Sequence, residues 1–343
     1  MRWVAFRPRH LTTRTGLLHV ERPYWVCPAC GTGCAPADAR WGLPAGRVSE
    51  GVKEGVALLG QALPFAQAHD LYARLVGVDV SVNSVEDWTE AVGAAYQPLI
   101  PSRYEPGPPA DVVFILADAG MLHTREDGWK ERKVFAAWRR LDGVDLPVRY
   151  AVGAGTWEAQ TERVADLARQ EGSRLAHEQV CIADGAAAIW KLLTRLWPDA
   201  FQLLDWFHLM EHLDTVVKQL PDHPAWRTTQ QTALMTHGYR PLVRALLALV
   251  RAGETEGVRT AAQACLHYVW THRTRMNYRA AQRRGYPIGS GRIESAVKQV
   301  LQQRCKQTGM RWKARHLDKV LAARCAYLNG DWDLACQQTR QAA

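Results

Sequence analysis

The sequence predicts an α/β protein: three adjacent strands, then alternating helices and strands, with helical segments before and after. Three observations predict it. Nearly unbroken apolar runs at residues 112–118 and 180–184 read as strands buried on both faces. The pattern changes after residue 110 from helical spacing to strand-like runs. Finally, each apolar run ends in an aspartate, Asp118 and Asp184, and the carboxyl ends of strands are where α/β sheets present functional side chains.

The first 45 residues read as short strands and turns rich in Arg, Pro and Gly. Within them Cys27-Pro28-Ala29-Cys30-Gly31 has the form of a zinc knuckle, two thiolates around a tight turn closed by Gly. Cys27, Cys30 and Cys34 are candidate zinc (Zn²⁺) ligands, with His10 or His19 as a fourth. An orphaned knuckle without zinc is the plain alternative, because no second Cys pair is present. Residues 46–100 are helical. Val52, Val56, Leu59 and Leu63 keep helical spacing, and Pro64 can open a second helix that runs from about Phe65 to Leu75 and stops at Gly77. Ser81 or Asn83 can cap a third helix through Val85, Trp88, Val92 and Tyr96. The set is helix-turn-helix-like, a motif whose last helix enters the major groove. Residues 101–110, rich in Pro and Gly, form a linker.

Beyond the linker, residues 130–138 and 147–152 read as two further strands and 156–173 as a helix. The strand ending at Asp184, a helix over 186–196 and a strand over 201–205 follow. This β-β-β-α-β-α-β order is that of an RNase H-like core, with its last helix delayed. Residues 110–208 hold the first part of the core, and 209–285 read as an all-helical insertion. Residues 286–335 supply the closing helices and a basic face.

The 343 residues carry a net charge of +9, with 47% apolar and 22% charged content, as a folded globular protein should. The charge is unevenly placed: from Thr271 to Ala343, Lys and Arg number 15 against 4 Asp and Glu. Such clustering is the footprint of a phosphate-backbone binder, although a solvated helical face is the bland reading. Candidate DNA contacts are Arg292, Lys298, Arg304, Lys306, Arg311, Lys313 and Arg315, with Trp312 as a stacking or wedge residue. The other five cysteines are scattered singly, as free buried thiols are, and the sequence does not read as a disulfide framework. No apolar run reaches the roughly 20 residues a bilayer needs, and the N-terminus lacks the apolar core of a signal peptide, which reads as a cytoplasmic protein with no membrane partner.

Asp118, Asp184 and Glu294 are the candidate metal-binding and catalytic residues. Singly they prove little. An Asp after a strand is often a turn residue, and Glu294 sits in a helix's first turn, four residues before Lys298, where dipole and ion pair suffice to explain it. As a set they fit two-metal phosphoryl transfer, in which two ions stabilise the attacking and leaving oxygens. Hard cations such as Mg²⁺ or Mn²⁺ take carboxylate oxygens. Asp118, from the central strand, is expected to bridge two ions, with Asp184 and Glu294 each completing one. Clustered carboxylates repel one another, so the metal-free site is expected to be loose. Asp205 and His208, three apart at a strand end, are candidate neighbours in the same site.

The sequence resembles DDE transposases of bacterial insertion sequences, in the Kra-type group related to Mutator-like elements. The resemblance lies in Cys27-Pro28-Ala29-Cys30-Gly31, Ala117-Asp118-Ala119-Gly120-Met121, Ile182-Ala183-Asp184-Gly185 and Leu204-Asp205-Trp206-Phe207-His208. It continues in the run from Pro287 through Glu294-Ser295 to Gly309-Met310-Arg311-Trp312. It implies an RNase H-like core interrupted by a helical insertion, with Asp118, Asp184 and Glu294 as the metal triad. It implies further that Asp205 and His208 form the Asp-x-x-His signature beside the active site. The reaction implied is hydrolysis at transposon ends, freeing a 3′-hydroxyl that then attacks target DNA. The implied partners are double-stranded DNA, both ends and target, and further copies of the chain in a homodimer or higher oligomer, acting at the bacterial nucleoid. One departure is that members usually carry an upstream Cys pair, which this sequence lacks. Two rival expectations are a truncated or domesticated relative that only binds DNA, and another nuclease of RNase H fold.

Overall fold

Strand β1 (Arg2–Thr13) turns through Thr13 and Gly16 into its antiparallel partner β2 (Gly16–Val26), and the short β3 (Gly33–Cys34) adds to β2. In this computed structural model the described residues are 1–96, 109–221, 223–289 and 291–342. The linker expected over 101–110 lies outside them except for Pro109 and Ala110. The chain divides into two units, Met1–Leu99 with Gln303–Ala343, and Ile100–Gln302. This differs from the expected boundaries: the tail from Gln303 belongs with the N-terminal unit, not with the sheet. No described helix is long and apolar enough to cross a membrane.

In the first unit a short helix α1 (Pro36–Arg40) is followed by α2 (Glu50–Gly60), α3 (Phe65–Val76) and α4 (Val82–Tyr96). Gly77 ends α3 in the left-handed conformation, φ 71°, which a Cβ would disfavour. Ser81 Oγ accepts the Ser84 N–H at 3.1 Å and so caps α4. Val52, Val56, Ala68, Tyr72, Val78 and Val85 form the core of this helical set.

The second unit holds the sheet: β4 (Val112–Thr124), β5 (Gly128–Leu141), β6 (Val144–Asp145), β7 (Arg149–Gly153), β8 (Glu178–Ala183) and β9 (Phe201–Leu204). Their order is β6-β5-β4-β8-β9, with β7 also on β5. The pairs β4–β5, β5–β6 and β5–β7 are antiparallel, whereas β8 runs parallel to both β4 and β9. Helices α5 (Thr161–Gln170) and α6 (Ala187–Leu196) supply the crossovers. Val113, Ile115 and Ala117 of β4 pack with Val164, Leu167, Ile189 and Leu193 of these helices on one face. On the other, Phe114 stacks on Trp138, 4.7 Å between centroids. Burial on both faces explains the unbroken apolar runs. One expectation is corrected: β4 does not end at Asp118 but continues six residues to Thr124, because β5 pairs with it through Gly128.

After β9 come α7 (Trp206–Val217), α8 (His223–His237), α9 (Tyr239–Ala252), α10 (Glu256–His272) and α11 (Tyr278–Arg283); among the described residues of 209–285 no strand occurs. Thr255 caps α10 by accepting the Val258 N–H at 3.2 Å. Helix α12 (Gly291–Ala296) then runs on as a π-helical stretch, Val297–Gln302.

Back in the first unit lie a last turn, α13 (Gln303–Cys305), and two helices, α14 (Ala314–Leu328) and α15 (Trp332–Ala342). Both helices pack on α4. A Cβ at Gly93 would lie 1.8 Å from the Lys319 carbonyl oxygen, so the α4–α14 approach needs that glycine. Tyr96 donates to Asp331 at 2.9 Å and accepts from Asn329 at 2.9 Å. The helix-turn-helix expectation is thereby altered. Helix α4 is the centre of a bundle of α2, α3, α14 and α15, and among its first residues and cap only Ser81, Val82 and Asn83 stand exposed in a row.

Candidate active site

Three aspartates lie on one rung of the sheet. Strand β4 pairs with β8 in parallel up to Ala117↔Ala183, and β8 with β9 up to Ala183↔Leu204. The next residue on each strand is Asp118, Asp184 and Asp205. The continuing Asp205 N–H to Ala183 carbonyl bond, 2.8 Å, keeps the third in line. Side chains two apart share a face, so Asp118 projects with Leu116 and Gly120, away from the crossover helices.

Each aspartate is held locally. Asp118 accepts the Ala119 N–H at 2.6 Å. Asp184 accepts the Ala186 N–H at 2.8 Å, turning the chain into α6, while Trp190 Nε1 donates to the Asp184 carbonyl at 2.6 Å. Asp205 is fully buried and caps α7 by accepting the Phe207 and His208 N–H groups at 3.4 and 3.1 Å. Its carboxylate also meets His208 Nδ1. Asp205 thus both caps α7 and meets His208.

The charges respond to this crowding. Burial raises the Asp118 carboxyl to about 6, and Asp184 and Asp205 add to the rise, while the Ala119 N–H and His208 oppose it. The hydrogen bond to Asp205 lifts His208 to about 9 against its partial burial, with the Asp205, Asp184 and Glu211 charges helping. Near neutral pH the site thus holds an imidazolium beside a carboxylate row.

Glu294 is brought to the same face of the sheet. Gly120 of β4 lies beneath the helix: a Cβ there would fall 2.7 Å from Leu301 and 3.2 Å from Val297. At the other end of α12, the Arg292 guanidinium sits 4.3 Å over the ring of Trp138, which pairs with Phe114. The helix therefore lies over β4 and β5 between the Phe114–Trp138 rung and the Gly120 rung, and Glu294 stands on it between Arg292 and Val297. The π-helical stretch begins three residues after Glu294, a distortion often found at functional sites. The carboxylates are not drawn to coordination distance. Among the described residues, the trio whose ligand atoms all lie within 4.8 Å of one another is Glu86, Glu90 and His316, in the other unit. That trio has a donor set that could hold a metal ion. His316 meets Glu90 and lies 3.2 Å from Glu86, and Lys319 also pairs with Glu90, at 3.1 Å.

The expected DNA contacts separate into two groups. Lys298, Lys306, Arg311, Lys313 and Arg315 are exposed. Arg292 is part-buried and pairs with Asp145 at 2.7 Å. Arg304 and Trp312 are corrections. Arg304 is fully buried between the rings of Phe65 and Trp312, 4.6 and 5.0 Å away, and donates to the Gly60 carbonyl at 2.8 Å. Trp312 is buried and donates to the Cys305 carbonyl at 3.0 Å. Neither is presented to a phosphate or a base.

At the knuckle the Gly31 N–H donates to the Cys27 carbonyl at 2.8 Å, and the Cys30 thiol is lowered by Thr32 and by Cys27. Cys34 pairs across from Trp25. His10 and His19 pair with each other near the hairpin turn, rings 4.4 Å apart. Seven residues of strand, roughly 23 Å, separate His19 from Val26. Neither imidazole can complete a site with Cys27 and Cys30. All eight cysteines are free.

No protein-family model matches the sequence, and no curated protein matches it.

Sequence reasoning passed over three residues of the helical segments that frame this site. Tyr268 of α10 stacks on His212 of α7, ring centroids 3.7 Å apart, and tilts against His272 at 4.9 Å. Burial and the nearby Asp184 and Asp205 charges raise the Tyr268 phenol well above its ordinary value. Burial lowers His212 and His272. The signal within reach was His212, one helical turn after His208 and so on the same face.

Proposed function

We propose that the chain is a DDE-type DNA transposase, which cleaves DNA at transposon ends and joins the freed 3′-hydroxyl to target DNA. The observation that carries this reading is the single rung of Asp118, Asp184 and Asp205 on three adjoining strands, with the Glu294 helix laid along the same face. The strand order supports an RNase H-like core: an antiparallel meander of β4, β5 and β7, extended by parallel β8 and β9. The helices between β9 and α12 support an inserted domain, which a bare nuclease does not require. The resemblance in sequence motifs points the same way.

The donor set suits hard cations, since carboxylate oxygens are what Mg²⁺ and Mn²⁺ take. Asp118, Asp184 and Glu294 would hold two such ions. When bound, these would supply Lewis acidity at the attacking and leaving oxygens. Asp205 is committed to His208 and to the α7 cap, so it orients a neighbour instead of serving as a free ligand. His208, kept protonated by Asp205, offers a charged N–H to a phosphate oxygen. The carboxylate row of the bare chain would repel DNA locally, so binding relies on exposed Lys and Arg elsewhere. Double-stranded DNA is the substrate, and two copies of the chain bring two ends together.

Asp184→Asn is the decisive substitution. With Mg²⁺ or Mn²⁺ and a plasmid carrying the gene with its flanking DNA, the variant should lose end nicking by a factor of at least about 10³. DNA binding, read by gel shift, should persist or improve. Normal nicking by the variant would sink the triad assignment. Cleavage without any strand-transfer product would favour another nuclease on the same fold.

A further inference from the structure

Strands β1 and β2 form a ribbon anchored near its turn, where Leu11 is buried and Asp38 of α1 holds Arg9 at 3.0 Å and Arg22 at 2.6 Å. Toward the other end β1 is uncovered: of residues 2–8, all but Ala5 are exposed. Trp3 is 50% and Phe6 62% exposed, and their rings lie 6.4 Å apart on one face. Side chains alternate along a strand, so Arg2 and Arg7 leave the opposite face. Arg7 lies 3.8 Å over the Tyr24 ring, which steadies the guanidinium plane and leaves its N–H rim outward. Single exposed apolar side chains are ordinary, but adjoining large ones mark an interaction surface.

Two observations decide the occupant. The first is charge: residues 1–47 carry seven Arg and no Lys against one Asp and one Glu. A second copy of the ribbon would meet the same positive excess, whereas a polyanion is drawn to it. The second is the free edge of β1. Thr12 donates to the Arg47 carbonyl at 2.8 Å and accepts the Ser49 N–H at 2.9 Å, on the edge away from β2. Backbone groups two and four residues away face that same edge, so Pro8 presents a nitrogen with no hydrogen there. A proline so placed opposes addition of a further strand.

We infer that the outer part of this ribbon is a DNA-binding arm. Trp3 and Phe6 pack against sugars and base edges in a groove of duplex DNA, and Arg2 and Arg7 reach over the strand edge to the phosphates of its walls. The major groove, about 12 Å wide, admits a two-stranded ribbon. The inference rests on the DNA substrate of the function proposed above, and it adds a contact remote in sequence from the basic tail.

Two variants of the full chain test it, Arg2→Gln with Arg7→Gln, and Trp3→Ser with Phe6→Ser. Binding of a labelled duplex of the DNA flanking the gene is measured from about 50 to 200 mM salt, beside thermal melting and molar mass by light scattering. The arginine pair should lower the slope of log affinity against log salt by about 1.8, at about 0.9 per contact. The aromatic pair should weaken binding about ten- to a hundredfold with the slope unchanged. Melting temperature should hold in both, since the side chains are exposed. Wild-type affinity and slope in both variants, with nicking intact, overturn the arm alone. Loss of self-association by the aromatic pair, with duplex binding intact, assigns the face to a second copy and overturns the arm too. If the aromatic pair melts early, the slope of the arginine pair decides. No duplex binding by the wild-type chain refutes the DNA reading and this inference with it.

Discussion

Asp118 illustrates how a functional carboxylate works against the fold that holds it. Burial and its acidic neighbours raise it from 3.8 to about 6, so the folded chain binds its proton more tightly than the unfolded chain does. The folded state is therefore penalised progressively as pH rises from about 4 through 6, and fully above that. Asp118→Asn should stabilise the chain by about 1–3 kcal/mol at pH 7, with little gain near pH 4. It should also abolish nicking. Urea denaturation at the two pH values checks this, and an equal gain at both would exclude a titrating carboxylate as the cause. Asp118, Asp184, Asp205 and His208 were readable as a set only through the strand order, because an Asp after a strand is by itself a common turn residue. Residue type did not separate exposed from buried cations. Arg304 and Trp312 stand in the sequence as members of a basic run, yet they stack on one another inside the first unit, in a way that only the Phe65 side chain's position reveals.

At the scale of elements, the runs that the sequence defines best are those buried on both faces, and β8 ends at Ala183 as the apolar pattern implies. Strand β4 was misjudged because residues 118–124 lose their apolar continuity where one face becomes the candidate site. Antiparallel pairing with β5, a long-range fact, carries it on to Thr124. Helix α4 shows the same limit. Its spacing was legible, but its covering by α14 and α15 depends on contacts made across more than 200 residues of sequence. Gly93 records that contact, and its substitution tests it. Alanine favours a helix over glycine by roughly 1 kcal/mol. At Gly93 its Cβ would run into the Lys319 carbonyl, where backbone of both helices must yield. Overpacking of this kind costs about 1–3 kcal/mol or more. Gly93→Ala should therefore lower the denaturation midpoint despite its better helix propensity, and a raised midpoint would show that the two helices do not meet there.

For the whole molecule, the excess of positive charge lies on both units: Arg292 and Lys298 belong to one, and Lys306, Arg311, Lys313 and Arg315 to the other. If these side chains neutralise DNA phosphates, each contact releases counterions and adds about 0.9 to the slope of log affinity against log salt. Replacing Lys306, Arg311, Lys313 and Arg315 together by Gln should lower that slope by up to about 3.6, with weaker binding of every duplex whatever its sequence. Arg304 separates charge from position. It contributes equally to net charge but is shut away from solvent, so Arg304→Leu should leave the slope unchanged while altering the stability of the unit it packs within. Binding of one duplex measured from about 50 to 200 mM salt for the three proteins reads both effects. An unchanged slope in the fourfold variant would move the phosphate-binding face off the tail. A reduced slope in Arg304→Leu would mean that this residue, too, meets DNA.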